Sequence, residues 1–66
     1  MWIKYNNQII NLELVSEISK NYDGKHHFIK FQLSDIRTSF SFKDEKTRDE
    51  VFNKIQTNLS VLELDI

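Results

Sequence analysis

The sequence predicts an α+β fold, a four- to five-stranded antiparallel β-meander with one C-terminal helix packed on one face. Two observations support this prediction. Apolar residues alternate through residues 25–33 and again through residues 36–42, as they do in strands that bury one face. Beyond Asp44 the apolar spacing changes to the 3.6-residue period of an amphipathic helix, with Val51 and Ile55 one turn apart.

The first two strands are expected at residues 2–5 and 8–12, joined by a tight turn. Asn6 and Asn7 separate them, and asparagine tolerates the positive φ angles that a two-residue hairpin turn requires. Asn11 can cap a single helical turn after the second strand. The apolar residues of this segment that are expected to pack under the sheet are Leu12, Leu14 and Val15.

The remaining strands are expected at residues 16–22, 25–33 and 36–42. An aspartate–glycine pair at positions 23–24 separates the first two of these strands, and this dipeptide favours a type I′ hairpin turn. A serine–aspartate pair at positions 34–35 separates the last two. Strands joined by such short turns pair antiparallel, and this connectivity is the basis of the predicted meander.

The helix is expected over residues 44–58, with Asp44 as its N-cap. Glu45 places a negative charge in the first turn, where the helix dipole favours it. Asp49 is expected on the solvent side. The residues expected to be buried together, because they occupy matching positions of the hairpin and the helix, are Phe31, Phe40, Val51 and Ile55.

For the tail, residues 59–66, the sequence does not decide between a short strand, a frayed end of the helix and coil. Leu62, Leu64 and Ile66 share one parity, as in a strand with one apolar side. A chain of 66 residues has a small core, and without cysteine it has no disulfide to support it. We therefore expect this tail to mediate self-association, by pairing onto the sheet of a second copy in a two-fold homodimer, with its acidic residues left in water.

Composition limits the class of protein. The chain is expected to be a single domain, residues 1–66, with a formal net charge of −1. Residues 1–43 hold six basic and four acidic side chains, an excess far below that of a dedicated nucleic-acid-binding protein. No stretch approaches the roughly 20 apolar residues of a membrane span. We expect a cytoplasmic protein that does not bind membranes.

The sequence offers no pattern that predicts catalysis, a cofactor or a metal. His26 and His27 are neighbours in a predicted strand, so their side chains would lie on opposite faces and could not bind one ion together. The acidic residues have no spacing typical of a general acid and base pair, and the serines have no nucleophile-elbow context. We therefore expect a protein that is not an enzyme.

The uncovered face of the sheet is the candidate interaction face. If Ile3 and Tyr5 face the helix, the alternate residues of the first strand point away from it, and so do the even-numbered residues of the fourth strand. Exposed aromatic residues on a small domain mark protein contacts, which favours a protein-binding or self-assembling module. The alternative is a single-stranded nucleic-acid-binding face, on which bases would stack. The residues of this candidate face are Trp2, Lys4, Phe28, Lys30 and Gln32.

The opening of the chain carries one resemblance. Its pattern Trp-Ile-x-x-Asn, followed by Ile-Asn-Leu-x-x-Val-x-x-Ile, runs from Trp2 to Ile18. It resembles the openings of many very small uncharacterised proteins of bacteria and their mobile elements, including phages. The resemblance implies a strand hairpin and an acidic-capped terminal helix, and it assigns no functional residue. With it, we expect an accessory or inhibitory protein of a bacterium or phage.

Overall fold

The computed structural model describes residues 1–64, and the α+β class is confirmed. The single meander is only partly matched, because the five strands of these residues form two antiparallel sheets, β1-β2 and β3-β4-β5. In chain order the elements are β1 (Trp2–Tyr5), β2 (Gln8–Asn11), a 3₁₀ turn (Leu12–Leu14), β3 (Glu17–Tyr22), β4 (His27–Leu33), β5 (Ile36–Phe42) and α1 (Glu45–Asn58).

One face of the three-stranded sheet forms one side of the hydrophobic core. Phe31 of β4 lies opposite Ile18 of β3, and Ile29 lies opposite Phe40 of β5. Side chains alternate along a strand, so Ile29 and Phe31 share the core side, and both are completely buried. The helix α1 packs across this side, in contact with all three strands.

The 3₁₀ turn explains why the strands divide into two sheets. Asn11 caps this turn, as the sequence predicts, because its side-chain oxygen accepts a hydrogen bond of 3.1 Å from the Glu13 N–H. The chain therefore leaves the extended conformation after Asn11 and does not continue as a ladder beside β3. Leu12 is buried in the core, but Leu14 is exposed, so its predicted packing under the sheet is wrong.

The β1-β2 hairpin lies over the core beside β5. Ile3 and Tyr5 pack against the core cluster, as predicted. The Tyr5 ring is 4.7 Å from the ring of Phe42, and its hydroxyl donates a 2.9 Å hydrogen bond to the Ser41 carbonyl. In the turn between the two strands Asn6 takes a φ of 54°, the positive value expected of a hairpin turn.

The turn between β3 and β4 lies where the sequence places it, but it is not a type I′ turn, because Gly24 is the only residue in it with a positive φ. Strand β4 begins at His27, so residues 23–26 form the connection, with Gly24 at a φ of 91°. The Asp23 carboxylate accepts hydrogen bonds from the backbone N–H groups of His26 at 2.6 Å and Lys25 at 2.9 Å. These bonds, that from His26 first, lower the pKa of Asp23.

The helix begins after Asp44, whose side chain accepts a 2.8 Å hydrogen bond from the Thr47 N–H and confirms the predicted N-cap. That bond is also the main reason why the pKa of Asp44 is lowered. Val51 is packed against the core and Ile55 is buried in it. The four predicted core residues, Phe31, Phe40, Val51 and Ile55, therefore form one cluster.

Arg48 ties the helix to β3, an interaction that the sequence did not predict. Its side chain is buried, with 8% of the residue exposed, and Nη1 donates to the Asn21 carbonyl at 2.9 Å. Nε and Nη2 donate to one oxygen of Asp49 at 3.1 and 3.0 Å, and Lys20 Nζ lies 3.5 Å from that oxygen. Asp49 is thus paired, and its pKa is lowered by the hydrogen bonds from Arg48 and the charge of Lys20.

The described part of the tail has no regular secondary structure. Leu59 caps α1, Ser60 takes a φ of 54°, and residues 61–64 continue as coil. Ile66, the last residue of the predicted self-association tail, lies outside the described residues. Within residues 1–64, no helix combines the length and the apolar character needed to cross a membrane.

Candidate interaction surfaces

The structure divides the candidate interaction face between two sheets. Trp2 and Lys4 lie on the outer side of the β1-β2 hairpin, because the alternate residue Ile3 packs against the core. Phe28, Lys30 and Gln32 lie on the side of the three-stranded sheet that faces away from α1. Since both sheets direct their other sides at the common core, these two groups form separate surfaces.

The outer side of the hairpin, which we call the hairpin face, exposes two large apolar side chains. Trp2 lies opposite Asn11, and Lys4 lies opposite Ile9. Trp2 is 67% exposed and Ile9 is 62% exposed. Two of the four side chains on this face are therefore large, apolar and in contact with water. Sequence reasoning identified Trp2 and missed Ile9, which the pairing with Lys4 would have placed on the same side. Apolar groups concentrated in this way are typical of protein contacts.

The uncovered side of the three-stranded sheet, which we call the open sheet face, is polar. Lys30 lies at its centre, between Ser19 and Ser39. Arg37 donates through Nε to the Gln32 side-chain oxygen at 2.9 Å, and this bond holds both side chains across the strands. The three cross-strand rows of the face are Glu17, Gln32 and Arg37; Ser19, Lys30 and Ser39; and Asn21, Phe28 and Ser41.

A shallow depression of about 370 Å³ lies at one end of the open sheet face. Phe28 lines it together with Ser39 and Ser41, and Asp23 and His26 of the neighbouring turn close it. A half-buried aromatic ring beside hydroxyl groups could contact a base or a sugar. The Asp23 carboxylate, kept ionised by its lowered pKa, would repel a phosphate there.

Two apolar grooves run along the two sides of α1. The one beside β3, the β3 groove, has a volume of about 520 Å³ and is lined by Val15, Ile18 and Phe52, with Glu17 among its polar residues. Val61 of the chain's own tail also lines it. The one beside β1, the β1 groove, has a volume of about 490 Å³. Its apolar lining includes Ile3, Tyr5, Phe40, Val51 and Ile55, and its polar lining includes Lys4, Lys54 and Asn58.

The described residues of the predicted self-association tail are exposed. Leu62 is 82% exposed and Leu64 is 74% exposed, and the coil between the end of α1 and Leu64 also exposes Val61. Three large apolar side chains therefore lie in water within four consecutive residues. Leaving this much apolar surface in contact with water is unfavourable, at about 25 cal/mol per Å².

The histidines lie apart, and the structure assigns them no common ligand. His26 is in the exposed turn, with Nδ1 3.7 Å from an Asp23 oxygen, whereas His27 stacks on the ring of Tyr22 at 4.5 Å. Among residues 1–64, no three histidine, aspartate or glutamate side chains are grouped as a metal ion would require.

No protein-family model, curated protein or solved structure matches the chain.

Proposed function

We propose that the chain is a small protein-binding module that associates with a second copy of itself to form a homodimer. The observation that supports this proposal most strongly is the exposure of Leu62 and Leu64 on a chain that also has two apolar grooves beside α1. Each exposed leucine would gain about 1.5 to 3 kcal/mol by becoming fully buried. A second copy supplies a complementary surface wherever this protein is present.

The hairpin face extends the proposal to other proteins. Trp2 and Ile9 form an apolar surface separate from the tail, and tryptophan is among the residues enriched at the centres of protein interfaces. Together with the resemblance of the opening, this surface leads us to propose an accessory or inhibitory role in the cytoplasm of a bacterium or in phage infection. In this role the protein binds a target and catalyses no reaction.

Sedimentation of the full chain and of a chain that ends at Ser60 tests self-association. At tens of micromolar we expect the full chain to be a dimer and the shortened chain a monomer. A full-length variant with Leu62→Ser and Leu64→Ser provides a matched control, because both side chains are exposed and the substitutions leave the core unchanged. If the full chain is also a monomer, the proposed self-association is wrong, and the exposed leucines are then interpreted as a binding site for a different protein.

The open sheet face supports a second candidate function, the binding of single-stranded nucleic acid. Phe28 and Lys30 share this face with Arg37, and α1 packs on the other side of the sheet, against Ile29 and Phe31. Aromatic rings among basic side chains on a sheet are typical of such sites. It is the second candidate because Glu17 and Asp23 reduce the positive potential of this region.

Fluorescence anisotropy with a labelled single-stranded oligonucleotide tests this candidate. We expect binding at low salt that weakens as salt is added, and a loss on Phe28→Ala, because stacking contributes about 1 to 3 kcal/mol per base. Trp2→Ala provides the matched aromatic control, because Trp2 lies in the other sheet. Absence of binding at low salt removes this candidate.

A further inference from the structure

We propose that the β1 groove binds the C-terminal tail of a second copy, which adds as a strand to the free edge of β1. This inference rests on the proposed self-association and deepens it, because it names the segment that crosses between the copies and the site that receives it. Three observations support it: the position of the groove, its shape and its charge.

The groove opens onto an unpaired strand edge. Ile3, Lys4 and Tyr5 line it in succession, so residues from both sides of β1 contact the same space, whereas no residue of β2 lines it. The groove therefore lies at the unpaired edge of β1, which faces away from β2. Among the strands of residues 1–64, β1 pairs with β2 alone. A free edge presents N–H and C=O groups that readily accept an added strand.

The far wall of the groove is one stripe of α1. Val51, Lys54, Ile55 and Asn58 line it, at the spacing of residues that share one helix face. The groove is thus an apolar channel between a strand edge and a helix, and its 490 Å³ fall within the range of protein sites that bind small organic groups. It has room for two leucine side chains of an extended segment.

The charges of groove and tail are complementary. Leu62 and Leu64 alternate with Glu63 and Asp65 in the sequence, so an extended tail has one apolar side and one acidic side. If the apolar side continues the core side of β1, the acidic side continues the outer side, which carries Lys4. Lys54 lines the groove from α1. The acidic residues would then pair with lysines rather than remain in water, and opposite charges on neighbouring strands are favourable.

The tail of the same chain is poorly placed to fill this groove. The helix ends at Asn58, and the tail then passes to the other side of α1, where Val61 lines the β3 groove. That other groove suits an acidic segment less well, because Glu17 lines it. A reciprocal exchange, in which each copy places its tail in the β1 groove of the other, uses the same surfaces twice and closes as a two-fold dimer.

Charge reversal with rescue tests the proposal in the full chain by analytical ultracentrifugation. The groove variant combines Lys4→Glu with Lys54→Glu, and the tail variant combines Glu63→Lys with Asp65→Lys. We expect each variant to raise the dimer dissociation constant about tenfold, since each replaces two attractive pairs by repulsive ones at both grooves of the dimer. The chain that carries all four substitutions should return to within about threefold of the unmodified value.

A matched control separates pairing from net charge. Lys25→Glu with Lys46→Glu lowers the net charge as much as the groove variant does, at exposed positions outside the groove, and we expect the dissociation constant to change by about twofold or less. Amide hydrogen exchange gives a second measurement. Free-edge amides of β1 should exchange more slowly in the full chain than in the chain that ends at Ser60.

The outcomes distinguish this inference from the proposed function. A dimer whose dissociation constant responds no more to the groove and tail variants than to the control overturns the β1 groove as the binding site, while self-association stands. If the chain with all four substitutions dimerises no more tightly than the groove and tail variants, the β1 groove is likewise overturned as the binding site. A monomeric full chain overturns both, even if its β1 amides are protected, because the tail would then bind within one molecule.

Discussion

The two sheets of this protein have similar alternating sequences but different roles. The three-stranded sheet buries Ile29 and Phe31 completely, and its other face is polar. The hairpin buries Ile10, only partly buries Ile3, and exposes apolar residues on its outer face. A two-stranded hairpin is marginal on its own, so this one depends on the core that it covers. The larger sheet with α1 therefore determines stability, whereas the hairpin leaves one edge of β1 unpaired and exposes apolar side chains among the described residues.

Truncation of the core of the larger sheet should have the largest effect. Phe40→Ala removes a ring that is almost fully buried against Phe31 and Tyr5, and we expect it to cost about 3 to 5 kcal/mol of unfolding free energy. This is most of the stability of a small domain. Urea denaturation monitored by circular dichroism measures it.

Ser39→Ala is the control for this change, because Ser39 is the neighbouring residue on the exposed side of β5. We expect an effect within about 0.5 kcal/mol. If Phe40→Ala melts within a few degrees of the unmodified chain, the division of β5 into a core side and an open side is wrong.

Removal of the arginine that joins α1 to the larger sheet should have an intermediate effect. Arg48→Met keeps the length of the side chain but leaves the Asn21 carbonyl without its 2.9 Å donor, and we expect a cost of about 1 to 3 kcal/mol. Lys46→Met is the control, since Lys46 is exposed on the same helix. Equal stabilities of the two variants in urea denaturation would show that the buried guanidinium does not hold the helix to β3.

Loss of the helix cap should have a smaller effect that depends on pH. Asp44→Ala should lower the melting temperature by a few degrees at pH 7. Because the hydrogen bond from Thr47 lowers the pKa of Asp44 in the folded chain, its contribution is complete above the pKa of an unfolded aspartate, about 3.9, and is lost as the pH falls through the lower folded value.

Thermal melts at pH 7 and at about pH 2 therefore provide the test. We expect the difference between Asp44→Ala and the unmodified chain to narrow at the acidic pH. Asp35→Ala, in the exposed turn between β4 and β5, controls for the loss of a carboxylate as such. A difference that is as large at the acidic pH would exclude the ionised cap as its cause.

The parts of the fold that the sequence predicts are those that local chemistry determines. The cap at Asp44, the turn at Asn11 and the core pairing of Phe31 with Phe40 each follow from a residue type in a local pattern. The grouping of strands into sheets does not, because alternation shows which residues share a side of a strand and not which strands are neighbours. The separation of Trp2 from Phe28 was hidden for the same reason.

Other features depend on contacts between distant parts of the chain. Arg48 looks like a surface residue in the sequence, and its burial follows from the Asn21 carbonyl, 27 positions away in the chain. The β1 groove likewise exists only because α1 passes beside the edge of β1. Of the candidate sites, the sequence identified the exposed leucines of the tail, because alternation alone marks them.

The smallest expected effect tests whether the hairpin can separate from the larger sheet. Tyr5→Phe keeps the ring that packs on Phe40 and Phe42 but removes the hydroxyl that donates to the Ser41 carbonyl at 2.9 Å. The bond is exposed to solvent, so we expect a cost of about 0.5 kcal/mol. If the hairpin opens by itself, amide exchange in β1 and β2 should become about twofold faster, while exchange in β4 should follow only global unfolding.

Tyr22→Phe is the matched control, because Tyr22 is an exposed tyrosine that stacks on His27 at the far edge of the larger sheet. We expect it to leave exchange in the hairpin unchanged. If Tyr5→Phe instead accelerates exchange equally in β1, β2 and β4, the two sheets open as one cooperative unit. The hairpin would then share the stability of the larger sheet, and the free edge of β1 would be as rigid as the core strands.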